Sequence, residues 1–122
     1  MARGKILLVD DEAEVREFLK DYFEDRDFDV SVACNGEEGL EEFRKQAFDL
    51  VVCDMLMPKM IGLEFLKRAK EIKPEQKIIL MTGVKEDSMV EKAKALGCHL
   101  YIFKPVRLKE VEARVLECFP NS

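Results

Sequence analysis

Five apolar runs of strand length alternate with five segments that carry a helical apolar stripe, and this alternation restricts the chain to an α/β architecture. Residues 5–10 open the series, and residues 12–25 then place Val15, Phe18, Leu19, Tyr22 and Phe23 at helical spacing. Residues 28–33 alternate weakly and are partly β-branched, as expected of a strand near a sheet edge. Asn35-Gly36 marks a turn, and residues 37–46 put Leu40, Phe43 and Ala47 toward one helical face. Residues 49–53 form the most apolar strand, expected at the sheet centre. A loop from Met57 to Gly62 leads to a helix over 63–72 with Leu63, Leu66 and Ala69 inward, stopped by Pro74. Residues 77–81 read as the fourth strand, and 86–96 as a helix closed by Gly97. Residues 100–103 read as the fifth strand, and the helix over 107–119 presents Leu108, Val111, Val115 and Phe119.

The pattern is (βα)5 with no linker or low-complexity tract, so residues 1–122 are expected to form one domain. Short right-handed crossovers favour a doubly wound, five-stranded parallel sheet of order 2-1-3-4-5. That order sets strands one and three side by side at the switch point, where ligands bind beyond the strand C-termini.

Charged residues stand where those strands end. Asp10 and Asp11 follow Lys5-Ile-Leu-Leu-Val9, Asp54 follows Leu50-Val-Val-Cys53, and Lys104 follows Leu100-Tyr-Ile-Phe103. Gathered carboxylates repel and are costly to desolvate unless a cation joins them. The set therefore suggests a hard divalent metal, a carboxylate that acts on something, and a lysine that holds an anion. The net charge of −5 offers no footprint for DNA or RNA, and no apolar run reaches the length of a membrane span. Cys34, Cys53, Cys98 and Cys118 form no CxxC pair, which argues against zinc and suits reduced thiols in the cytoplasm.

These residues resemble the receiver domain of two-component response regulators over nearly the whole chain. Val9-Asp10-Asp11-Glu12 resembles the family's acidic pair. Asp54-Met-Leu-Met-Pro58 followed by Gly62 resembles its phospho-acceptor motif, and Thr82-Gly83 its hydroxyl-plus-small pair. Gly97, Tyr101, Lys104 and Pro105 match its spacing around the last strand. The resemblance implies a flavodoxin-like fold and phosphorylation of Asp54 by a sensor histidine kinase or histidine phosphotransfer protein. It also implies Mg²⁺ as cofactor, held by Asp11 and Asp54 directly, by Asp10 through water, and by the Leu56 backbone carbonyl. Lys104, Thr82 and the Gly83 N–H would hold phosphoryl oxygens. Thr82 and Tyr101 would form a switch acting on the fourth helix, fifth strand and last helix. By the same resemblance Leu56 and Val84 would flank the route of the hydrolytic water, and since both are apolar here a long-lived phosphoryl group is expected. Expected partners beyond the kinase are an effector domain or target protein and a phosphorylation-dependent second copy, with no nucleic acid or membrane bound directly. The chain would catalyse only its own phosphorylation and dephosphorylation.

Two departures from the family stand out: Ile61 where Asp or Asn is common, and Cys98-His99-Leu100 after Gly97. Each residue also has a plainer reading. Asp11 could cap the first helix, Thr82 the fourth, Lys104 could be a surface lysine, and Tyr101 a half-buried core aromatic. Lys104-Pro105 suits a cis peptide that would aim the lysine inward. His99, without a second histidine, reads as a structural or surface residue rather than a catalytic one. The Met55, Met57 and Met60 cluster reads as loop packing, and the acidic stretch 37–42 as a solvated face. Competing functions are a metal-dependent phosphohydrolase with an aspartyl nucleophile, a nucleotide or flavin module, and a pseudo-receiver that only binds. The first would want an acid/base carboxylate where Leu56 stands. The second would want a phosphate-cradling loop where Asp11-Glu12-Ala-Glu14 stands.

Overall fold

A computed structural model describes residues 2–83, 86–105 and 107–119. Five strands and five helices alternate in it: β1 (Lys5–Val9), α1 (Ala13–Glu24), β2 (Asp29–Ala33), α2 (Gly36–Lys45), β3 (Leu50–Asp54), α3 (Gly62–Ile72), β4 (Ile78–Thr82), α4 (Asp87–Ala95), β5 (Leu100–Phe103) and α5 (Leu108–Glu117). All pairings are parallel, in the expected order β2-β1-β3-β4-β5. β3 and β4, with a neighbour on each side, are buried at every position, whereas the edge strand β2 is only partly covered.

Strand periodicity splits the core into two layers. Ile6, Leu8, Leu50, Val52, Ile79, Met81 and Ile102 face α1 and α5, where Leu19, Phe23, Val111 and Val115 complete the packing. Leu7, Val9, Val51, Cys53, Ile78 and Leu80 face the opposite side, against Leu40, Phe43, Phe65, Leu66, Ala69 and Ala93 of α2, α3 and α4. Removing Phe23, which is wholly buried, would cost about 3–5 kcal/mol.

Turn chemistry sets the helix limits. Gly97 takes a φ of +91° after α4. Its N–H donates to the Lys94 carbonyl while the Cys98 N–H donates to that of Ala93, the paired closure expected at a helix C-terminus. The Asn35 side chain caps α2 by accepting the Glu38 N–H at 2.9 Å. α3 lacks such a cap, because Ile61 at its N-cap has no side-chain acceptor.

Several expectations need correction. Ala47 lies beyond the end of α2 and is exposed, because the helix stops at Lys45 and the chain turns extended at Gln46. Phe18 faces solvent rather than the core, whereas Leu63, partly buried, packs against the core as expected, and Phe65 joins Leu66 and Ala69 inside it. Asp49 precedes β3, exposed, with Oδ2 accepting the Lys5 N–H at 2.8 Å. Met55 and Met57 are buried as loop packing, and His99 is exposed.

Candidate functional site

Register decides which strand ends meet. Val9 pairs with Cys53 across β1 and β3, so Asp10 and Asp54, one step further, emerge beside each other. Thr82 pairs with Phe103 across β4 and β5, so Gly83 and Lys104 follow side by side, and the Lys104 N–H donates to the Thr82 carbonyl at 2.7 Å. Asp10 and Asp54 also continue the alternation of Leu8 and Val52, both turned toward the α1/α5 side. Lys104 joins them: its Nζ lies 3.1 Å from Asp54 Oδ1 and 3.6 Å from Glu12 Oε1. The Lys104–Pro105 peptide is cis.

The backbone around Asp54 is tightly held. The Gly62 N–H donates to the Met55 carbonyl at 2.7 Å. A Cβ on Gly62 would come within 2.7 Å of the Asp54 carbonyl oxygen, so a side chain there would push α3 away from the site. Leu56, two residues on, turns its side chain into solvent, 59% exposed.

Asp10 and Asp54 are 2% and 4% exposed. Burial pushes the Asp10 carboxyl up to about 6 against the pull of the Glu12 N–H, with the nearby Asp54 charge adding to the rise. Burial likewise raises Asp54, although hydrogen bonding and charge from Lys104 oppose it and the Asp11 carboxylate assists it. For Lys104 burial works against the ammonium, but Asp54, Asp10 and Glu12 together outweigh it and the pKa stands above the ordinary value.

Asp10 Oδ1 accepts the Glu12 N–H at 2.8 Å, while Asp10 Oδ2 is buried with no hydrogen-bond partner among the described residues. A desolvated carboxylate oxygen beside a second buried carboxylate is what a divalent cation would satisfy. Oxygens of Asp10, Glu12 and Asp54 lie within 4.8 Å of one another, so the donor set fits a hard cation. Asp11 is exposed and is not in that group, though its charge reaches Asp54. Nor does it cap α1: the N-cap is Glu12, and no side chain caps that end. Glu12 was not singled out from the sequence, where its only signal was its place directly after the acidic pair.

Thr82 is buried at the end of β4 and is not the N-cap of α4, which is Glu86. Its side chain shares a hydrogen bond with Tyr101, whose hydroxyl pKa burial raises and this bond opposes. Tyr101 is half-buried and packs against Phe103 with ring centroids 5.2 Å apart. Among the described residues, a Cβ on Gly83 would meet nothing within 4 Å. Val84 lies outside the described residues.

Residues 6–116 match the family described as the response regulator receiver domain. Sporulation initiation phosphotransferase F of Bacillus subtilis is 35% identical over 120 residues, covering 98% of this chain and 97% of that protein. The uncharacterized transcriptional regulatory protein YkoG of the same organism is 32% identical over 117 residues, covering 94% of this chain but 50% of that protein. The chain thus spans nearly all of one relative and half of the other. Among solved structures, a response regulator receiver domain protein from Clostridium thermocellum superposes with a TM-score of 0.88 at 30% identity, covering 98% of this chain and 95% of that one.

Proposed function

The chain belongs to the response regulator receiver domain family, and from that premise we propose that Asp54 accepts a phosphoryl group from a histidine kinase or histidine phosphotransfer protein in a Mg²⁺-dependent reaction. The observation that carries this reading is the buried Asp54 carboxylate held 3.1 Å from Lys104 Nζ, with Asp10 and Glu12 oxygens alongside. An Asp54 oxygen forms the new bond to phosphorus as the bond to the donor's imidazole nitrogen breaks and its electron pair returns to the ring. Asp10 and Asp54, with Asp11 and the Leu56 carbonyl as the family resemblance implies, would hold Mg²⁺, which supplies charge neutralisation at the phosphoryl oxygens. Lys104 pairs with one of those oxygens as a point charge. The Thr82 hydroxyl and the Gly83 N–H take others, and among the described residues nothing stands within 4 Å of where a Gly83 Cβ would be.

The output follows from Thr82. Its bond to Tyr101 couples the site to β5. A Thr82 hydroxyl recruited by the phosphoryl group would release Tyr101 and change the surface of α4, β5 and α5. Partners on that surface would be a target protein, an effector domain or a second phosphorylated copy. We assign residues 1–122 to one receiver domain working in the cytoplasm. A phosphohydrolase would need an acid/base carboxylate at Leu56, which is apolar and exposed.

The deciding experiment is intact mass after incubation with Mg²⁺ and acetyl phosphate, in wild type and Asp54→Ala. A base-labile gain of one phosphoryl group in wild type alone is expected. No gain in a folded protein that binds Mg²⁺ would overturn the proposal.

A further inference from the structure

Building on the receiver reading, we infer that Arg16 of α1 is a positioning residue of the site: its guanidinium holds the Asp10 carbonyl and so fixes the turn through Asp10, Asp11 and Glu12 in the shape that receives the cation.

Asp10 stands one residue past the last paired position of β1, where Val9 meets Ala33 on one side and Cys53 on the other. Its N–H still donates to the Ala33 carbonyl at 3.1 Å, and its Oδ1 accepts the Glu12 N–H at 2.8 Å. Its carbonyl accepts from Arg16 Nη1 at 2.7 Å. Both sides of the Asp10 backbone are thus held, and its side chain as well. The Arg16 bond also orients the peptide that joins Asp10 to Asp11, because a carbonyl and the N–H that follows it share one plane. Arg16 therefore acts on both acids through the backbone between them. Glu12, the N-cap of α1, makes no side-chain cap bond that would secure the helix start instead.

The choice of acceptor matters. Lys104 sets its ammonium against the Asp54 carboxylate at 3.1 Å, where it competes with a cation. Half-buried Arg16 is bonded to a carbonyl, so it steadies the turn and leaves the carboxylate oxygens to the cation. Charge and position then predict opposite signs. Removing a nearby positive charge would by itself strengthen Mg²⁺ binding. Releasing the turn would weaken it, as does the loss of any group that orients metal ligands.

The test is calorimetric Mg²⁺ titration of the full chain as wild type, Arg16→Ala, Arg16→Lys, Lys20→Ala and Asp54→Asn. Amide hydrogen exchange is measured alongside, without Mg²⁺, in wild type and Arg16→Ala. Lys20, one turn further along α1, is paired with Glu24 at 2.9 Å, so Lys20→Ala removes the same charge without that carbonyl bond. Arg16→Ala is expected to bind Mg²⁺ about tenfold more weakly, and Arg16→Lys, which keeps the charge and a donor, to recover part of the loss. Lys20→Ala should bind as well as wild type or better. Exchange at the Glu12 N–H should quicken in Arg16→Ala by more than exchange at the core amides of β3, whereas a general loss of stability would quicken both alike. Mg²⁺ affinity in Arg16→Ala equal to or above that of wild type, or equal quickening at Glu12 and in β3, would overturn the inference. Failure of the receiver reading looks different: wild type would not bind Mg²⁺, or Asp54→Asn would leave the affinity unchanged.

Discussion

Replacing Asp10 by Asn should stabilise the metal-free protein. Asp10 is 2% exposed, one oxygen accepts the Glu12 N–H, and the other has no partner among the described residues. Burial raises its pKa from 3.8 to about 6. A native state that must ionise this group at neutral pH loses about 3 kcal/mol relative to one that need not. The substituted carboxamide keeps the acceptor for the Glu12 N–H and places an N–H₂ beside Asp54, so most of that penalty should be recovered. The sign with pH follows from a raised acidic pKa. Between 3.8 and about 6 the native state binds more protons than the unfolded chain, so wild-type stability falls as pH rises through this window. The penalty is complete above the window and absent below it. Urea unfolding in EDTA at pH 7 should show the variant more stable by about 2–3 kcal/mol, a midpoint shift of about 1–1.5 M for an m-value of about 2 kcal/mol/M. The gain should shrink toward zero as pH is lowered to about 4. Mg²⁺ should raise the wild-type midpoint and leave that of Asp10→Asn nearly unmoved. A variant no more stable than wild type at pH 7 in EDTA, or a gain independent of pH, would refute the reasoning.

Ile61→Asn should add about 1 kcal/mol in the same urea assay, because α3 begins at a residue with extended φ and ψ and no side-chain cap. Leu56→Asn combined with Val84→Glu should shorten the phosphoryl lifetime several-fold by offering polar groups to the attacking water, read as decay of the phosphorylated mass. An unchanged decay rate would count against that role. Tyr101→Ala should leave acetyl phosphate labelling of Asp54 intact while weakening the phosphorylation-dependent gain in partner affinity or dimerisation. Equal gains in wild type and variant would sink the Thr82–Tyr101 coupling.

The layout of the fold was legible because strand periodicity and burial are coupled. Leu50-Val-Val-Cys53 is apolar on both faces, and only a central parallel strand buries both faces. Gly97 marked a helix end since its φ of +91° favours glycine. Ala47 and Phe18 misled for a related reason: a helical stripe predicts which face turns inward but not where the helix stops or how far the core extends beneath it. Ala47 falls past the last turn, and Phe18 sits on the open flank of α1, both exposed.

At the site, residue types and strand ends were visible in the chain, since short-range patterning places Asp10, Asp54, Thr82 and Lys104 at the end of a strand or just beyond it. Which members of the acidic run Asp10-Asp11-Glu12 meet Asp54 was decided only in three dimensions. Val9 pairing with Cys53 fixes Asp10 beside Asp54, and the pleat carries Asp10 inward while Asp11 is left in solvent. The turn into α1 then swings Glu12 back toward Lys104. Sequence distance says little about such meetings, because register between strands far apart along the chain is set by how the crossover helices pack on the sheet.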